Sequence, residues 1–132
     1  MTSAVDLLPH RAPFVLVDRV IHASPGKVRA EKQVTCGDPL VGDLLPDMLV
    51  VEALAQAAAC SNRSEHGPHL GYLVAITGFT FEGRVATGET LTLEVTRAAQ
   101  LGPLSQFDVE ATVGERPIAR GRMTFSVPPR HA

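Results

Sequence analysis

The chain has 132 residues, 45% of them hydrophobic and 20% charged, with a formal net charge of -2. That length suits one domain with a real core, 1–132, and the apolar fraction argues against a chain dominated by disorder. The interspersed charges offer no electrostatic footprint for nucleic acid, and MTSAVDLLPHRAPFVLVDRV, with its charges and two prolines, fits neither a signal peptide nor a membrane span; a cytoplasmic protein is expected.

The first element is Pro13 to Ala23, PFVLVDRVIHA, rich in Val, Ile and Phe and ended by the turn cluster Ser24-Pro25-Gly26, so a strand followed by a hairpin is expected. Lys27 to Thr35 alternates Val28, Ala30 and Val34 with charged neighbours, the period of a half-buried strand. Breaks follow at Gly37-Asp38-Pro39 and Gly42-Asp43. From Asp47 to about Ser61 the chain contains no Gly or Pro and is heavy in Ala and Leu, which predicts a helix. Asp47 follows Pro46, where it caps that helix or complements its positive end. Apolar residues on nearly all sides make it a central, buried helix.

Asn62 to His69 reads as a polar loop. Its His66 and His69 have a metal-compatible spacing, but Gly67 and Pro68 between them and the lack of a third ligand nearby predict a solvated loop and no metal. Four more strands are expected at Leu70–Phe81, Glu89–Ala99, Leu104–Val113 and Pro117–Val127, separated by Gly88-Glu89, Leu101-Gly102-Pro103 and Gly114-Glu115; PPRHA closes the chain as a loose tail. Two strands, one long helix and then a meander make an α+β protein, an antiparallel sheet wrapped on a helix. Cys36 and Cys60 are lone thiols suited to packing. Phosphate-binding glycine loops are absent and no cofactor is expected.

One residue breaks the pattern of the helix. Glu52 is flanked by Val50, Val51, Ala53 and Leu54, and its only polar companion on that face is Gln56 at i+4. Glutamate is usually a solvated surface residue. Burial would instead disfavour its charged form and fit it to exchange a proton near neutral pH, which makes Glu52 a functional candidate.

The segments LLPHRAPFVLVDRV at 7–20 and VVEALAQ at 50–56, with LGYLVAITGFTFEGRVATGETLTLEVTR at 70–97, resemble the 3-hydroxyacyl-acyl-carrier-protein dehydratases of the FabA/FabZ kind. Within that family the LPHR segment, the E-x-x-A-Q helix, GYL and a shortened stretch before the helix look like the divergent dehydratase-like proteins of aryl polyene and related polyketide clusters. The resemblance implies the hot-dog fold, a long central helix wrapped by an antiparallel sheet. It also implies a dimer, either a homodimer or a heterodimer with a second dehydratase subunit, whose sites lie between subunits. The implied substrate is an acyl thioester on acyl carrier protein or coenzyme A. In such a site Glu52 is the acid/base, the N–H groups of Asp47 and Met48 face the thioester carbonyl, and Gln56 orients the site. Arg11, Arg19, Lys27 and Arg29 have the charge to meet an acidic carrier.

The match has gaps. The family's G-H-F-P histidine segment is missing: DPLVGDLLPDML stands in its place, with no histidine between His22 and His66, and Asp47 occupies a position where the family commonly has glycine. His10, in LPHR, is the one histidine within a matched motif. Dehydration through Glu52, alone or with another base such as His10, is the leading expectation. The alternatives are an acyl thioesterase, with Glu52 activating water, and a non-catalytic acyl-binding partner of an active dehydratase.

Overall fold

The structure, a computed structural model, describes residues 2–3, 16–35, 44–66 and 72–126, with side chains for 16–35, 44–61 and 72–126. Its elements are the strands β1 (Thr2–Ser3), β2 (Arg19–Ser24) and β3 (Lys27–Gln33), the helix α1 (Asp47–His66), and the strands β4 (Tyr72–Phe81), β5 (Thr90–Leu101), β6 (Leu104–Val113) and β7 (Arg116–Ser126). All seven strands form one antiparallel sheet in the order β1-β2-β3-β5-β6-β7-β4. The expected α+β architecture, a sheet curled on one helix, is the one observed.

Most boundaries fall where turn chemistry puts them. Pro25-Gly26 turns β2 into β3, and Gly102, at φ 58°, turns β5 into β6, a left-handed conformation that glycine adopts without penalty. Two boundaries differ. The chain at 16–18 is irregular before β2 begins at Arg19, and α1 runs on through Asn62–His66, which composition had assigned to a loop. Those five residues are polar, but none is Gly or Pro, so nothing in their backbone chemistry ends the helix before the Gly67-Pro68 pair. The breaks at 37–39 and 42–43, Cys36, His69 and the PPRHA tail lie outside the described residues.

The core sits between α1 and the concave side of the sheet. Val50, Ala53, Leu54, Ala57 and Ala58 of the helix meet Val28 and Ala30 of β3, Leu91, Leu93 and Val95 of β5 and Phe107 of β6, all buried. Small alanines let the helix approach the sheet closely, and larger side chains from the strands fill the space between. Phe107 and Phe125 meet edge to face with centroids 5.9 Å apart, a favoured aromatic geometry. On the helix, Ser61 Oγ accepts a hydrogen bond from Gly26 N at 2.9 Å, joining α1 to the β2–β3 turn.

On the convex side, Arg19–Glu31 and Arg122–Asp108, both at 3.0 Å, are exposed pairs of the kind that contribute about 0–1 kcal/mol. A more organised group stands between β4 and β5. Glu89 accepts from Ala86 N at 2.8 Å through one oxygen and from Arg116 at 2.6 Å through the other, while Arg116 also donates to the Arg84 carbonyl at 2.8 Å. The segment thus held pairs with the chain entering α1, through the Leu44–Ala86 bridge and Leu45 N to Val85 O at 2.9 Å. Among the described residues no helix is long and apolar enough to cross a membrane.

Two outcomes are expected. The Ala86 N–H and then the Arg116 guanidinium hold the Glu89 carboxyl below its ordinary value, so its contribution is fully present above the ordinary carboxylate range and is lost as pH falls through the lowered one. Thermal melts of Glu89→Gln should show a lower Tm than wild type at pH 7, with the gap closing in acid. A Cβ at Gly121 would overlap the Phe79 ring, so Gly121→Ala should destabilise the chain by about 1–3 kcal/mol in denaturant titration.

Candidate active site

The packing of α1 determines which of its faces is left over. The helix lies chiefly against β2, β3, β5 and β6, and its residues directed at those strands are closed off from solvent. Met48 and Glu52, one helical turn apart, occupy the face turned away: Met48 is 70% exposed and Glu52 is exposed as well. The burial expected for Glu52 is therefore not provided by its own chain. A single helix cannot bury its whole circumference against one side of one sheet, however apolar that circumference is. The sheet has a corresponding surplus at β4, an edge strand. Its inward residues Leu73, Ile76 and Phe81 stand opposite the buried Phe125, Met123 and Ala119 of β7, yet are themselves 39%, 42% and 42% exposed.

Glu52 is tethered. Gln56, only 2% exposed, donates from Nε2 to Glu52 Oε1 at 3.2 Å, and its Oε1 accepts from the buried Leu16 backbone N–H at 2.8 Å. Leu16 directly follows the LLPHRAPFV stretch, so the two sequence segments that carry the family resemblance meet at this amide.

The helix N-terminus supplies donors. Pro46 O takes the N–H groups of Leu49 at 2.9 Å and Val50 at 3.3 Å, which leaves those of Asp47 and Met48 ahead of the helix's own ladder, at its positive end. Asp47, the first residue of α1, is half-buried.

Other candidates fall away from Glu52 or outside the described residues. His10 and Arg11 lie outside them, as does the His66 side chain. Arg19 and Arg29 are engaged with Glu31 and Glu94 of the sheet. Asp18 accepts from Gln33 N at 2.6 Å. His22 pairs with Ser24 Oγ at 3.0 Å, at a hairpin that meets α1 at Ser61, roughly 13 Å along the helix from Glu52. No group of three His, Cys, Asp or Glu among the described residues could hold a metal ion. An open groove of about 360 Å³, lined by Thr80, Glu94, Asp108, Glu110 and Arg120, belongs to the convex face of the sheet and so lies away from the helix. Cys60 is buried, and burial pushes its thiol up to about 12, which rules it out as a nucleophile at neutral pH.

Sequence reasoning missed an inward charge. Lys32 is 2% exposed and stands opposite the buried Leu91. The signal was available, because the inward phase 28, 30, 34 passes through position 32.

Comparison with known proteins places this geometry. The ApeP-like family model, described as ApeP dehydratase, matches residues 2–132. The 3-hydroxyacyl-[acyl-carrier-protein] dehydratase FabZ of Ruminiclostridium cellulolyticum is 36% identical over 131 residues, 92% of each chain. Among solved structures, the dehydratase heterocomplex ApeI:P from Xenorhabdus doucetiae matches at TM-score 0.84 and 22% identity, over 98% of this chain and 93% of that one. A hypothetical thioesterase protein with coenzyme A from Streptococcus pneumoniae matches at TM-score 0.74 and 15% identity, over 86% and 88%. The fold is the hot-dog fold.

Site-resolved alkylation tests the inertness of Cys60. At pH 8, mass spectrometry should find it unmodified by iodoacetamide in the native chain and modified once denaturant is added.

Proposed function

We propose that this chain, which belongs to the ApeP-like dehydratase family, takes part in removing water from 3-hydroxyacyl thioesters on acyl carrier protein, with Glu52 as the acid/base at a site closed by a second subunit. The observation that carries the reading is Glu52 itself: a carboxylate tethered by a buried amide, on a helix face that its own sheet leaves open.

The reaction takes a proton from C2 and releases the C3 hydroxyl as water, leaving a 2-enoyl thioester. Negative charge grows on the thioester oxygen as the C2 proton leaves. The Asp47 and Met48 N–H groups, at the positive end of α1, suit that charge. Glu52 serves one of the two proton transfers, and the other falls to a group such as His10 or to the second subunit. The apolar residues Leu73, Ile76 and Phe81 line the uncovered inner face of β4, where a second hot-dog subunit would enclose an acyl chain. A heterodimer with a second dehydratase is favoured over a homodimer, because this sequence lacks the family's G-H-F-P histidine and because the similar ApeI:P structure is a heterocomplex. Aryl polyene or related polyketide assembly is the setting that the family membership favours.

A mass-spectrometric assay of 3-hydroxyacyl carrier-protein thioesters, with and without a second dehydratase subunit, tests this. Loss of water is expected from the wild type, alone or paired, and Glu52→Gln should slow it by about 10²–10⁴. Undiminished turnover by Glu52→Gln would overturn the reading. Release of free acid in place of water would make the chain a thioesterase.

A further inference from the structure

We infer that Gln56 is the positioning residue of Glu52, and that the direction in which its amide points is dictated by the backbone N–H of Leu16. This rests on the reading of Glu52 as the reacting carboxylate.

The argument begins with a donor that has no choice. The Leu16 N–H belongs to a residue 1% exposed and can only donate, and the Gln56 amide is the acceptor set against it at 2.8 Å. The two ends of a glutamine amide have nearly the same shape and opposite hydrogen-bonding character. Turning the amide over would set two donors against each other in a buried place and leave the Leu16 N–H without this acceptor. The oxygen must therefore face Leu16, and the –NH2 group must face Glu52, whose Oε1 it meets at 3.2 Å.

Two consequences follow. Gln56 always offers Glu52 a donor, so Oε1 has a fixed anchor and the carboxyl plane cannot swing freely on its two methylenes. The position of that anchor is also set from outside the helix, by the chain at Leu16, 40 residues earlier in sequence. Displacement of the 16–18 segment would thus reach Glu52 without any residue between them being catalytic. A misplacement of about 1 Å at a reacting group costs about 100-fold in rate.

The test separates polarity from packing. In Gln56→Glu the introduced carboxylate still accepts from Leu16 but offers Glu52 no donor until it takes up a proton. Gln56→Met fills the space and does neither. Each full-length variant is assayed in whichever form turns over, the chain alone or with its second subunit. Gln56→Glu should lose about 100-fold at pH 8 and recover as pH falls, with KM little changed, whereas Gln56→Met should stay low throughout. Wild-type rates and an unaltered pH profile in Gln56→Glu would overturn the inference.

A second measurement does not depend on turnover, or on Gln56→Glu folding. In the wild type, NMR should show the Gln56 side-chain amide protons in slow exchange with solvent; in Glu52→Ala their signals should move and exchange should speed up. Unchanged signals would overturn the inference whatever the rates are. A wild type that leaves every 3-hydroxyacyl thioester intact, alone and paired, counts against the dehydratase reading, while the amide signals still decide this one.

Discussion

The governing constraint is one of width. Seven strands about 4.8 Å apart span roughly 29 Å, and a helix with its side chains is only about 10–12 Å across. Even with the sheet curled, one helix covers part of the concave face and no more. Here it lies chiefly over β2, β3, β5 and β6, and those strands hold most of the fully buried apolar side chains. The shortfall appears at β4, which pairs only with β7 and carries Tyr72, Leu73, Val74, Ile76 and Phe81 in contact with water. An edge strand with that surface is a liability unless something covers it. The exposed face of α1, with Met48 and Glu52, is the other half of the same shortfall.

Against this apolar arrangement the polar contacts are few and local in purpose. The Glu89 carboxylate gathers Ala86, Arg116 and, through Arg116, Arg84 into one hydrogen-bonded unit. Its effect is felt at the chain entering α1, since Val85 and Ala86 pair with Leu45 and Leu44. The N–H groups of Asp47 and Met48 are therefore aimed by the sheet as well as by the helix that begins with them. An exposed ion pair such as Arg19–Glu31 lacks that reach because both of its partners belong to neighbouring strands.

The sequence revealed the fold well because its signals were redundant. Apolar alternation in KVRAEKQ and FDVEATV, the Gly-Pro turn clusters and an uninterrupted Ala/Leu helix all require the same arrangement. The helix end was missed because polar composition was read as loop, although polarity does not break a helix. The site was less legible. Glu52 and Gln56 stand out by their spacing, but their exposure does not, because an apolar neighbourhood in sequence surrounds the helix and says nothing of which arc lacks a strand. The Leu16 contact could not be read at all: a backbone N–H has no signature in the sequence, and its partner lies 40 residues away.

Ser61 and Gln56 take on a further meaning when considered together. Both are buried polar side chains on an otherwise greasy rod, roughly 7.5 Å apart along its axis, and each takes a backbone N–H from the sheet side, Gly26 in one case and Leu16 in the other. Alanine-rich surfaces are nearly smooth, so apolar contact alone would let such a rod roll or slide with little resistance. Two pins at different heights remove both freedoms, as two dowels fix a shaft where one would leave it turning. The azimuth of Glu52 is thus indexed mechanically, and the alanines between the pins are free to drift in evolution toward other small residues without redirecting it.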